Sequence, residues 1–185
     1  MMDNITIIVL CVIALCILYF LLTYNGFIKL KNKVEEAFAT MDVYLKKRWD
    51  LIPNIVETVK GYAKHEKETL KEIVNLRNEN YDNMSDNEKI EKNKEITKGI
   101  AKIMALAEAY PELKANENFL SLSKELSSIE DEIAQSRKYY NAVVRDYNNK
   151  VQMIPSNFVA LMMKLKPKTM FIAEEEERKN VKVKL

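Results

Sequence analysis

The stretch RWDLIPNIVETVKGYAKHE, Arg48 to Glu66, gathers the only tryptophan and the only histidine of the chain among closely spaced charges. Nucleophilic catalysis needs a base within hydrogen-bond reach of a hydroxyl or thiol, and His65 is the one imidazole on offer. Its neighbours are Lys64 and Glu66, a setting that suits a surface residue of a bundle helix. A di-iron centre in a helical bundle takes inward glutamates and paired Glu-x-x-His motifs, but Tyr62 stands three residues before His65. No GxSxG elbow occurs, and no two of the glycines Gly26, Gly61 and Gly99 lie close enough to cradle a phosphate. Glu130, Asp131 and Glu132 are consecutive, so a helix fans them out as solvated faces. The acidic run NENYDNMSD, Asn78 to Asp86, puts Met84 third from Asp82 and lacks the central glycine of a calcium loop. These residue types predict no catalytic, cofactor-binding or metal site and a chain that is not an enzyme. A hydrolase built on Arg48, Asp50 and Asn116 is the remote alternative, since such residues near helix ends usually serve as caps.

The same stretch reads more simply as a corner between elements. Lys46, Lys47 and Arg48 suit the last turn of one helix, where cations complement its dipole. Asp50 would cap the next, with Pro53 in its first turn. Apolar residues at Phe27, Leu30, Val34, Phe38, Met41 and Leu45 predict the first of these helices, with Gly26 as a joint. Ile52, Ile55, Val56, Val59, Leu70, Ile73 and Leu76 predict the second, over residues 51–80. Ser85 and Glu88 form a capping-box signature for the third, which Tyr110-Pro111 ends. From Asn116 to Pro155 a 3-4 alternation through Phe119, Leu122, Leu126, Ile129, Ile133, Tyr140, Val143 and Tyr147 predicts the fourth, with Ser136 in one seam slot.

The expected fold class is all-α: an N-terminal transmembrane helix followed by an elongated antiparallel bundle of about four helices. Short connections make sequential helices antiparallel, leaving the membrane and returning twice. The Arg48–Pro53 corner and the turn at Tyr110–Phe119 are then expected to meet at the far end.

Ile5 to Leu22, ITIIVLCVIALCILYFLL, is an uncharged run long enough to span a bilayer's hydrocarbon core. No basic residue precedes it and no small-residue cleavage pattern follows, so the run reads as a retained anchor rather than a signal peptide. Cys11 and Cys16 lie inside it and behave as small hydrophobes. Lys29, Lys31 and Lys33 follow the anchor, and the positive-inside rule predicts an outside N-terminus and a cytoplasmic body. The formal net charge of +2 carries no nucleic-acid signal.

Two surfaces are candidates for interaction. Arg137, Asn141, Arg145, Asn148 and Gln152 share a polar stripe on the fourth helix and suit a protein partner or another copy of the chain. In FVALMMKLKPK, Phe158 and Met162 alternate with Lys164, Lys166 and Lys168, a pattern that suits shallow contact with an anionic leaflet or a cover over the bundle's open end. The domain plan is an anchor over 1–25, a bundle over 26–154, an amphipathic exit over 155–172 and a charged, disordered tail over 173–185.

KKRWDLIPNIVETVKGYAKHE and LKANENFLSLSKELSSIEDEIAQSRKYYNAVVRDYNNKVQMIPSNFVA resemble the two signature blocks of the LemA family of bacterial membrane proteins. The match runs from about residue 5 to 172. Arg48, Asp50, Pro53, Gly61 and His65 fit the first block; Asn116, Phe119, Glu130, Arg137, Asn141, Asn148 and Pro155 fit the second. Trp49 and the KLKPKTMF exit depart from it. The resemblance implies a single-pass anchor in the bacterial inner membrane, a helical domain and no established enzymatic activity or cofactor. The expected role is a non-enzymatic scaffold or adaptor acting through protein contacts. The alternative is a self-assembling, membrane-shaping protein.

Overall fold

The computed structural model describes residues 3–77 and 80–171 of the 185. The tail expected to be disordered, and the first two residues of the NENYDNMSD loop, lie outside them. The described residues form helices α1 (Asn4–Tyr62), α2 (Lys67–Asn75), α3 (Asp86–Ala109), α4 (Pro111–Lys114), α5 (Glu117–Gln152) and α6 (Ser156–Met162), with a 3-10 turn at Tyr81–Asn83 and no strand. The all-α class is as expected.

The corner expected at Arg48–Pro53 does not exist. α1 runs 59 residues without interruption, with Pro53 inside it. A proline there removes the hydrogen bond to the carbonyl of Trp49 and crowds the preceding turn. Packing outweighs that cost. Leu45, Arg48, Trp49, Ile52, Ile55, Val56 and Val59 are all buried, so one inner stripe passes straight through the proline. Arg48 holds a seam position that the apolar pattern alone leaves blank, which is why the stripe looked broken after Leu45. The reversal comes later, at residues 63–66, and exposed His65 lies in that turn rather than on a helix. The second leg is shorter than predicted: α2 has nine residues, and the rest of 51–80 belongs to α1 or to turns.

Other boundaries follow their chemistry. Ser85 and Glu88 make the predicted capping box, the Ser85 N–H donating to Glu88 Oε2 at 2.7 Å. Those bonds hold the exposed Glu88 carboxyl below the usual carboxylate range. Tyr110 ends α3, and Pro111 opens the short α4 at its N-terminus, where a missing N–H is harmless. Asn116 caps α5, its Oδ1 accepting from the Phe119 N–H at 3.0 Å. Ser136 fills its seam slot by donating back to the Glu132 carbonyl at 2.8 Å.

The chain divides into two compact units. Phe38–Lys138 is one. There Arg48 meets Glu130 and Tyr62 meets Asn116, so fourteen residues forward on α1 match fourteen back on α5, as antiparallel packing requires. Tyr81 returns to Asp42 near the start of this α1 segment, and α3 then climbs past Lys89–Asp42 and Asn93–Arg48. The predicted out, back, out, back path is present within this unit. Its far end joins Tyr62 to Asn116, not Pro53.

The other unit takes Met1–Ala37 and Tyr139–Leu185, of which 3–37 and 139–171 are described. In it, side chains from Ile5 to Leu22 are exposed apart from half-buried Phe20, while Thr23 and Phe27 are buried. A helix that is apolar all round and uncovered over that length fits a membrane anchor.

Candidate functional site

Within Phe38–Lys138 the polar centre is Arg48, which is 1% exposed. Its Nη1 donates to Glu130 Oε1 at 2.6 Å and to Thr97 Oγ1 at 3.3 Å. Its Nη2 donates to the Asn93 carbonyl at 3.1 Å and to the Asn93 side-chain oxygen. Three helices therefore converge on one guanidinium, whose planar fork suits several acceptors at once. Glu130 is partly exposed but bonded into this centre, unlike the wholly solvated residue its neighbours suggested. Beside it Trp49 and Tyr81 pack at 5.2 Å between ring centres, and Arg77 lies 5.6 Å over the indole. Tyr81 donates to Asp42 at 2.6 Å; burial first, then that hydrogen bond and the nearby carboxylate, push its phenol pKa far up.

This centre is closed. The cavity touching Arg48, Trp49, Tyr81 and Asn93 measures only about 10 Å³, too little for a substrate. Asp50 faces elsewhere, taking Lys46 at 2.8 Å and Arg77 at 3.4 Å. Asn116 is bonded to Tyr62, fourteen residues along α1 from Arg48, or about 21 Å at the helical rise. Arg48, Asp50 and Asn116 thus do not form the site that the hydrolase alternative needs. Among the described residues no three His, Cys, Asp or Glu side chains group as metal ligands.

An open groove of this unit runs between α1 and α5. Tyr44, Lys47, Asp50, Leu51 and Asn54 form one wall; Glu125, Ser128, Ile129 and Glu132 form the other, around about 650 Å³. Toward the far end, Asn54, Glu57, Thr58, Asn118, Ser121 and Leu122 line a further 530 Å³. In the larger part Asp50 is taken by Lys46 and Arg77, and Glu125 and Glu132 line the opposite wall from Lys47. Sequence reasoning missed this groove. Its polar residues looked like ordinary solvated faces, and only the pairing of α1 with α5 brings them together.

In the other unit the predicted polar stripe divides. Asn148 donates to the Lys168 carbonyl at 2.9 Å and accepts from the Lys168 N–H at 2.8 Å. Asn141 does the same with Phe171, at 2.8 and 2.9 Å. Each amide thus grips both polar groups of one residue in an extended strap. The spacings agree: seven residues of helix rise about 10.5 Å, and three extended residues span about 10 Å. Tyr140 donates to the Thr169 carbonyl at 3.0 Å and packs edge-on against Phe171. Arg137 falls in the Phe38–Lys138 unit, where it is half-buried; Arg145 and Gln152 are exposed. The stripe is part internal clamp, part open surface.

The exit segment forms α6, which exposes Phe158 and Met162 and buries Val159 and Ala160. Lys164 and Lys166 are exposed, while Lys168 is half-buried beside Asn148.

Comparison with known proteins places the chain. Residues 37–185 match the model of the LemA family. A relative described as Protein LemA, from Metamycoplasma hominis, is 28% identical over 159 residues, covering 85% of this chain and 72% of that protein. The matched residues contain both quoted blocks, the Arg48–Glu130 centre and the asparagine clamps. The chain belongs to the LemA family.

Proposed function

We propose that this protein is a membrane-anchored, non-enzymatic scaffold that recruits a protein partner at the cytoplasmic face of the bacterial inner membrane. The observation that carries the reading is the open α1/α5 groove. Its carboxylates Glu125 and Glu132, beside an Asp50 already paired with Lys46 and Arg77, suit a helix with a cationic face. The apolar stem Ile5–Leu22 and membership of the LemA family support the anchoring half. The Arg48 centre of the Phe38–Lys138 unit is enclosed by structural hydrogen bonds, which favours a binding role over a catalytic one.

A photo-crosslinking residue at Ser128 in the full-length protein, in its own membrane, tests the reading. The expected product is a discrete adduct whose crosslinked segment is a cationic helix, lost in Glu125→Lys/Glu132→Lys. The same probe at Arg145 reports on the open part of the polar stripe. Adducts only at Arg145 would move the docking surface there, and identical bystanders at both positions would end the scaffold reading.

A further inference from the structure

Exposed apolar side chains on α5 and in the bundle loops are scattered, but one group of them is not. Met153, Ile154, Phe158, Leu161 and Met162 fall within ten residues and are 62%, 77%, 63%, 77% and 70% exposed. On α6, Phe158, Leu161 and Met162 stand at steps of three and four, so they share one face. The opposite face, Val159 and Ala160, is buried against the rest of the unit.

The height of this patch is set within its own unit. Lys150 Nζ lies 5.1 Å from the centre of the Phe27 ring. Burial on α5 stops at Val151, and burial on α1 begins at Thr23. Both mark the same end of an antiparallel pair. Met153 and Ile154 therefore emerge level with the point where the bare apolar stem begins, one residue past Leu22.

The end of α6 adds a second observation. The Lys164 N–H donates to the Leu161 carbonyl at 3.0 Å and the Leu165 N–H to the Ala160 carbonyl at 2.9 Å. That is a Schellman stop, whose left-handed position is usually glycine. Here it is Lys164, at φ 54°. A lysine held where glycine is conformationally cheaper points to a use for its charge. Lys164 and Lys166 are exposed and directly follow the apolar face of α6 in the chain.

We propose that α6 and the preceding Met153–Ile154 turn dock into the headgroup region of the leaflet that the stem enters, with Lys164 and Lys166 on anionic headgroups. The protein is thus held by two points, and the returned end of α5 is fixed against the bilayer. Apolar residues at the acyl boundary rimmed by cations are the pattern of a membrane-lying helix, and cations near an anionic surface strengthen its hold. The inference rests on the stem lying in a bilayer, so the experiment reports on the stem separately.

Three single-cysteine forms of the full-length chain would carry a nitroxide in nanodiscs of phosphatidylcholine and phosphatidylglycerol. Native Cys16, with Cys11→Ser, reports on the stem. Leu161→Cys, with both native cysteines changed to serine, reports on α6. Leu120→Cys in the same background gives an exposed site in the other unit as the aqueous reference. Accessibility to oxygen relative to a water-soluble nickel chelate is expected to rise severalfold at Leu161→Cys over Leu120→Cys. It should fall back toward the reference in Lys164→Gln/Lys166→Gln, with helicity unchanged. An aqueous reading at Leu161→Cys, with Cys16 in lipid, overturns the docking alone. So does shielding from both reagents, which means packing on the bundle, or dipolar broadening that dilution removes, which means a second copy. An aqueous Cys16 overturns the anchor and the docking together.

Discussion

Arg48 carries a charge into a site that is 1% exposed, and its partner Glu130 keeps a side chain 38% exposed. The guanidinium is therefore the group that loses most hydration, and the acceptors of α3 must offset it. Truncation to alanine leaves Asn93 and Thr97 without their donor and opens a void between three helices. Arg48→Ala is expected to destabilise the protein by about 3–5 kcal/mol, as breaking a buried pair does. Arg48→Met fills the volume without a charge and should cost clearly less. Urea denaturation of the pair of variants checks this; equal losses would mean that the lost charge pairing, not volume, dominates the site. Tyr81 makes a pH prediction of definite sign. Its phenol is held protonated by burial and Asp42, while the unfolded chain ionises near its ordinary value of 10.0. Above that pH the native state binds more protons than the unfolded state, so the stability this group contributes, complete below pH 10, is lost progressively as pH rises beyond it. Thermal unfolding should weaken above that point, and Tyr81→Phe should flatten the slope at the expense of one hydrogen bond.

At the scale of elements, what could be read from the sequence depended on whether a signal was local. The capping box at Ser85, the stop before Pro111 and the long seam of α5 were legible because a few adjacent residues carry each one. The continuity of α1 was not. Its stripe passes through a charged Arg48 whose partners lie 45 and 82 residues away, and Pro53 imitates a helix start. The clamps at Asn141 and Asn148 looked like free surface for a similar reason: an asparagine that binds backbone leaves no mark in the strap it binds. The interior proline gives a direct test. Pro53→Ala restores the missing donor to the Trp49 carbonyl and is expected to stabilise the protein by about 1–3 kcal/mol. A loss instead, read by the same denaturation assay, would mean that the packing of Ile52 and Ile55 depends on the proline. The strap gives another. Asn148→Ala removes two bonds to Lys168 and should cost about 1–3 kcal/mol while speeding amide exchange at Lys168. Unchanged exchange there would show that Tyr140 and Asn141 suffice to hold the segment.

At the scale of the whole molecule the remaining question is which way the stem threads the bilayer, because the groove can serve a cytoplasmic partner only if the helices lie inside. Charge decides orientation through the Lys and Arg near the ends of a span, counted over short flanks, with acids contributing little. After the stem come Lys29, Lys31 and Lys33, within eleven residues of Leu22. Lys31 has Glu35 at 3.8 Å, but both are half exposed, so the pair does little to cancel its charge. Lys164 and Lys166 come later in the chain, after the bundle has formed. The three early lysines should therefore set the direction. In inside-out membrane vesicles, Ser128→Cys in a background with Cys11 and Cys16 changed to serine is expected to react with an impermeant maleimide, and in intact cells it should not. Changing Lys29, Lys31 and Lys33 to glutamine while making Asp3→Lys and Asn4→Lys should give a mixed population, with part of the protein labelled from outside. Labelling of the parent form in intact cells would place the groove on the other side of the membrane and remove every cytoplasmic partner from consideration.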